Sequence, residues 1–259
     1  MKVEEIKKLK SGKYKVKIDG ESITTYDDVI LENHLLFHKD ITEEELGQIQ
    51  LDHAYAEVYH KALSFALRKL RSTYEMNCYL EKFEISEGEK ETILDRLKKN
   101  GIVSDVSFVR AYISDCLYLS NDGPNKIYKD LLEHQIEESI ILEELDKIDI
   151  SYVREKLQKL ITKRIKGDHK HSNYQLKQKI VLDMVNLGYD RETIIEILSS
   201  MELTDSDKME REYDKIYQKL SRKYEGKELF KKIQEKLYGK GFDIHEIENF
   251  IAEKKSDIF

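Results

Sequence analysis

The amino-acid sequence predicts a mainly α protein: tandem three-helix repeats forming an elongated curved array behind a small N-terminal β-plus-α head. Three observations carry this. First, residues 184–198, MVNLGYDRETIIEIL, and 237–251, LYGKGFDIHEIENFI, share an apolar start, a Gly-aromatic-Asp turn and an apolar helical run, and they lie 53 residues apart (237 − 184). Second, 37% of residues are charged, with one proline and no tryptophan, a composition that suits long solvated helices with few forced turns. Third, alternating strand-like patterning is confined to the first part of the chain.

In the head, 1–52, the stretch KYKVKIDGESITTY (13–26) alternates around Asp19-Gly20, the signal of a tight hairpin. VEEIKKL (3–9) adds a third strand. DDVILENHLLF (27–37) and TEEELGQIQLDHAYAEV (42–58) read as helical.

The repeats are set by an apolar anchor. Stepping back from Phe242 gives Tyr189, Ile136 and Ile85, at intervals of 53, 53 and 51. Five residues before each anchor stand Leu80, Leu131, Met184 and Leu237; nine before stand Met76, Ile127, Ile180 and Ile233. These spacings put three side chains on one helical face. Gly188 and Gly241 precede their anchors, where a left-handed C-cap needs glycine, whereas Glu84 and Gln135 stand there in the first two copies. Ser86 with Glu89, and Asp243 with Glu246, have capping-box spacing. A further helix precedes each pair, at 55–70, 104–119, 150–165 and 208–223. The expected domains are therefore the head and four three-helix repeats, 53–102, 103–148, 149–202 and 203–259. Each small unit shares its apolar face with its neighbours.

Several function classes are disfavoured. A net charge of −7 argues against nucleic-acid binding by bulk charge and leaves only local basic faces. The chain lacks the ~20-residue apolar run of a membrane span and the apolar stretch of a signal peptide in MKVEEIKKLK. Cys78 and Cys116, 38 residues apart, read as two thiols in a reducing cytoplasm. No P-loop, glycine-rich phosphate cradle or nucleophile elbow is present, so no catalytic residue, cofactor or enzymatic activity is expected. His169 and His171, in GDHKHS (167–172), supply two ligands without a third and read as plain loop rather than a zinc site.

At this point the chain resembles the RecX family, the bacterial modulators of the RecA recombinase. The resemblance runs along nearly the whole length and is carried by IDGE (18–21), ALSFALRKLRSTYEMNCYL (62–80), RLKKNGIVSD (96–105), SDVSFVRAYISDC (104–116) and GPNKIYKDLLEHQI (123–136). A head plus a fourth copy is similar to the longer family members. The chain departs from the family pattern at Glu84 and Gln135 and in VRAYI (109–113). The resemblance implies a non-enzymatic regulator that binds RecA, or the RecA–single-stranded DNA filament, and inhibits ATP hydrolysis, strand exchange or filament growth in recombination and DNA repair. A cytoplasmic monomer is expected, and the resemblance carries over no catalytic residue.

Two basic strips are the candidate contacts. Residues 61–72 hold Lys61, Arg68, Lys69 and Arg71 with no acid; residues 150–166 hold Arg154, Lys156, Lys159, Lys163, Arg164 and Lys166 against Glu155 alone. Arg110 joins them from the second repeat. Residues 137–149 are the reverse, with Glu137, Glu138, Glu143, Glu144, Asp146 and Asp149 against Lys147. Three readings stay open: strips that touch RecA or DNA phosphate, a directly nucleic-acid-binding helical module, and a generic helical scaffold with a solvated charged face. Tyr74, Tyr79, Tyr112 and Tyr118 near the first strip read as packing residues rather than base-stacking platforms.

Overall fold

A computed structural model describes residues 1–37, 40–168, 171–201 and 205–256. His169 and residue 202, where the third repeat is expected to end, lie outside the described residues. The chain divides into two compact units, Met1–Ala111 with Leu131–Glu144, and Tyr112–Asp130 with Leu145–Phe259.

The first unit begins with an antiparallel sheet, β1 (Val3–Lys8), β2 (Tyr14–Ile18) and β3 (Glu21–Thr25), in the order β1-β2-β3. Asp19 and Gly20 both adopt positive φ (44° and 89°), the two-residue turn whose twist matches the strands it joins. Val3, Val16 and Ile18 from one face of the sheet form a core with Val29 and Ile30 of α1 (Asp27–Glu32) and Ile49 and Ala56 of α2 (Glu43–Ala66). A capping box of Thr42 and Glu45 starts α2. This one helix replaces the two segments expected at 42–58 and 55–70 and runs through the 52/53 position where the head was expected to end. No proline or helix cap interrupts its interior, so nothing in the chain stops it before Ala66. Then come α3 (Thr73–Leu80) and α4 (Glu87–Lys99), each opened by a capping box, Ser72/Glu75 and Ser86/Glu89. Ala62, Met76, Leu80, Ile93 and Leu97 of α2–α4 form a second core.

The helices α5 (Asp105–Leu119), α6 (Pro124–Glu133) and α7 (Glu138–Asp146) follow. In the second unit, α8 (Ile150–Gly167), α9 (Asn173–Asn186) and α10 (Arg191–Ser199) share a core of Leu157, Ile161, Leu176, Ile180, Met184, Tyr189 and Ile194. The last three helices, α11 (Ser206–Leu220), α12 (Gly226–Gly239) and α13 (Ile244–Ser256), share another built on Met209, Tyr213, Ile233, Leu237 and Phe242. The architecture is thus mainly α, tandem three-helix repeats with a three-stranded sheet at the N-terminus.

The anchor triplets sit where the periodicity puts them. Met76, Ile127, Ile180 and Ile233 are fully buried, and so are Leu80, Leu131 and Leu237. Ile136, Tyr189 and Phe242 fold back over their helices and donate backbone N–H groups to Leu131, Met184 and Leu237 at 3.3, 3.0 and 3.4 Å. This is the six-to-one bond of a Schellman turn, with Gly188 and Gly241 in the left-handed region. Gln135 keeps the same turn despite its side chain, at φ 51°. The first copy does not: the Ile85 N–H bonds to Phe83 instead, Glu84 has no positive φ, and Ile85 is only half-buried.

Successive three-helix groups meet through the first residues of their middle helices. In the first unit the Thr73 N–H donates to Asp105 Oδ1 at 2.7 Å; in the second the Asn173 N–H donates to both carboxylate oxygens of Asp205 at 2.9 Å. The equivalent position on α6 is Pro124, the sole proline, which has no N–H to satisfy. There the backbone does the joining: Gly123 N–H donates to Leu187 O at 2.6 Å, and Asn125 N–H to Gly188 O at 3.0 Å. A Cβ on Gly123 would come within 2.7 Å of the Gly188 backbone, and one on Gly188 would collide with Lys126. Ser172, likewise buried, donates its hydroxyl to Lys240 O at 3.0 Å beside Gly241.

Candidate partner-binding surface

The end of α2 at Ala66 places Arg68, Lys69 and Arg71 in the α2–α3 connection rather than on the helix expected to reach residue 70. Arg71 is turned inward. Its guanidinium stacks 3.9 Å from the Phe65 ring centroid and lies 3.3 Å from Glu75, with only 15% of the side chain exposed. Lys69 approaches the same Glu75 at 3.5 Å, and Lys61 pairs with Glu57 at 3.1 Å. Among the described residues Arg68 makes no ion pair; it is exposed between two exposed leucines, Leu67 and Leu70.

Arg110 on α5 reaches Glu144 on α7 with two parallel bonds, Nε at 2.8 Å and Nη2 at 3.0 Å. Glu144 is buried, so this fork supplies the charge that lets a carboxylate sit inside. The hydrogen bond to Glu144 raises the Arg110 pKa further.

The second strip lies on α8. Arg154 forms a bidentate pair with Glu196 of α10 at 2.8–2.9 Å, and Arg164 pairs with Asp183 of α9. Lys159 pairs with Glu155 one turn earlier at 2.7 Å. Lys156 points back, its ammonium donating to the carbonyls of Cys116 and Leu117 at 3.1 and 2.7 Å, near the C-terminal end of α5, where burial lowers its pKa. A cation there meets the negative end of the helix dipole. Lys163 and Lys166, three residues apart on one face, are exposed and unpaired among the described residues.

A groove of about 600 Å³ runs between α8 and α9, lined by Lys163, Arg164, Lys179, Asp168, Asp183 and Asn186 among others. Lys179 was not singled out in the sequence, because KQK (177–179) lies outside both charge runs. The acidic stretch 137–149 is in part structural too: Glu144 is buried, and Asp149 caps α8 by accepting from Ser151 N–H at 2.8 Å. His171 pairs with Asp168 at 2.7 Å. The structure thus divides the ten candidates. Arg71, Arg110, Arg154 and Arg164 are turned to partners within the fold, Lys61, Lys69 and Lys159 pair locally, and Arg68, Lys163 and Lys166 face outward.

No protein-family model matches the chain. Curated relatives match it nearly end to end. A regulatory protein RecX of Streptococcus equi subsp. equi (strain 4047) is 29% identical over 253 residues, covering 95% of this chain and 97% of the relative. One of Bacillus cereus (strain G9842) is 28% identical, covering 98% and 97%. A crystal structure of regulatory protein RecX superposes with a TM-score of 0.67 at 20% identity, covering 77% of this chain and 99% of that one.

The chain is similar nearly end to end to RecX regulatory proteins. A second RecX crystal structure, from Lactobacillus salivarius, has a TM-score of 0.54 at 21% identity over 56% of this chain and shares the fold. The RecX relatives carry the name of regulatory proteins rather than of enzymes. Among the described residues no helix is long and apolar enough to cross a membrane.

Proposed function

We propose that this chain binds RecA, or the RecA–single-stranded DNA filament, and inhibits its ATP hydrolysis, strand exchange and growth during recombination and DNA repair. The observation that carries the reading is the end-to-end similarity to RecX regulatory proteins, with the repeat anchors in register along the chain. The protein acts in the cytoplasm as a monomer by occupancy, without catalysis. Residues 53–102, 103–148, 149–202 and 203–259 serve as successive contact modules, and each contact after the first is intramolecular and gains from avidity. Of the ten candidates, Arg68, Lys163 and Lys166 are exposed and make no ion pair among the described residues, so their charge is offered to the partner. The test is a RecA ATPase assay on single-stranded DNA with this protein titrated in. Inhibition well below one copy per RecA is expected; saturating protein that neither binds the filament nor changes turnover defeats the reading. A second reading, direct binding to nucleic acid, draws on the Lys163–Arg164–Lys179 groove. Binding to free DNA at moderate salt without RecA would favour it.

A further inference from the structure

Away from the basic strips, three side chains with metal-binding atoms converge where the head meets α2. One ligand atom each from Asp27, Asp28 and His60 lie within 4.8 Å of one another. The two aspartates are consecutive in the first turn of α1, and the histidine comes from α2. His60 Nε2 is wholly buried and has no hydrogen-bond partner. A buried polar atom without a partner costs about 1–3 kcal/mol and calls for an explanation, of which an ion is one. Its nearest acid oxygen, Asp28 Oδ2, is 3.6 Å away, too far for a hydrogen bond. Ligands at zinc bond lengths around a tetrahedral ion stand about 3.3 Å apart, close to the 3.6 Å between His60 Nε2 and Asp28 Oδ2.

The surroundings hold these groups in place. The His60 ring stacks on Tyr26 with centroids 3.8 Å apart and 8° between planes, and meets Tyr59 edge-on at 5.4 Å. Asp27 Oδ1 accepts the Asp28 N–H at 3.1 Å, and Asp28 Oδ1 accepts the Val29 N–H at 3.0 Å, so Asp28 Oδ2 is the oxygen turned toward His60. Arg96, stacked 3.9 Å from the Tyr59 centroid, stands 3.5 Å from Asp28 Oδ2. A long contact of that kind suits a partner of a metal-ligating carboxylate rather than a replacement for the metal. We propose that Asp27, Asp28 and His60 form a binding site for a divalent transition-metal ion of the zinc type, linking α1 to α2 through one imidazole nitrogen and two carboxylates. Three protein ligands leave further positions to water. The proposal does not depend on the RecA reading.

The experiment uses the full chain, stripped with chelator and titrated with Zn²⁺ by calorimetry, with the absorption of Co²⁺ as a second probe of the ligand set. One ion per chain is expected. His60→Gln and Asp27→Asn should each weaken binding at least about tenfold, the lower end of what disturbing a metal site costs. Both should leave the helical circular dichroism of the metal-free protein unchanged. His171→Ala, which removes a histidine–carboxylate pair elsewhere in the fold, should leave the affinity unchanged. No uptake with Zn²⁺ in molar excess, or uptake that survives both His60→Gln and Asp27→Asn, overturns the site.

Discussion

Gln135 holds a φ of 51° at the place where Gly188 and Gly241 hold 87° and 80°. An L-residue gives up roughly 1–2 kcal/mol in that conformation, part of which glycine returns through its greater freedom when unfolded. Gln135→Gly should therefore stabilise the protein by about 0.5–1 kcal/mol, read as a higher urea midpoint at unchanged slope. Gly188→Ala should do the opposite and cost more than about 2 kcal/mol, because it adds a collision with Lys126 to the backbone strain. The turn glycines were legible in the sequence; the survival of the same turn at Gln135 and its loss at Glu84 were not. Both residues are poor choices there, and their anchors differ in burial: Ile136 is 4% exposed, whereas Ile85 is half-buried. One residue after the Gly188 turn's anchor, Asp190 caps α10 by accepting the Thr193 N–H at 2.8 Å, which holds its carboxyl below the usual range. A depressed folded pKa contributes stability above the unfolded value of about 3.9 that is lost as pH falls through the folded one. Asp190→Asn should flatten that acid-side loss while keeping the cap, and Asp190→Ala should cost about 1 kcal/mol near neutrality, both followed by thermal melts across pH.

Between elements, the joints offer a sharper test. Asp105→Ala strands the Thr73 N–H and should cost about 1–3 kcal/mol in chemical denaturation. Pro124 shows that the same position tolerates a residue with no N–H, so Thr73→Pro should be accepted and should make Asp105→Ala milder. Non-additivity of the pair is the readout. Arg110→Ala takes the fork away from the buried Glu144 and should lower the urea midpoint. At this scale periodicity located the helices, but charge counting does not see ion pairs formed between helices. Arg110, Arg154 and Arg164 meet their acids 34, 42 and 19 residues away, distances that no local window spans. The Lys159–Glu155 pair, one turn apart, was within reach of the sequence. The aspartate–histidine cluster escaped for the same reason: Asp28 and His60 are brought together by α1 lying against α2, not by a motif.

For the whole molecule, the division of the cations separates folding from recognition. Arg68→Ala, Lys163→Ala and Lys166→Ala, alone or combined, should leave melting within about 0.5 kcal/mol per site of the parent. If these residues meet the filament, its affinity falls. If they meet phosphate on a single strand, the salt dependence of binding should flatten by about 0.7 log unit per lost contact. Parent-like binding by the triple variant would remove these residues from the surface and leave the repeats untouched.

The uninterrupted α2 has a mechanical meaning. Its 24 residues make a rod of roughly 36 Å, anchored at one end in the core under the sheet and at the other in the core of α3 and α4. A hinge would let the sheet swivel on its own; a continuous helix makes it a lever arm. Torque on the sheet is delivered to Ala62 and Ala66, among Met76, Leu80 and Ile93, with no slack between. Two glycines spliced in after Asp52 would convert the lever into a tether, and any effect of the head that relies on leverage would vanish while each core stayed folded.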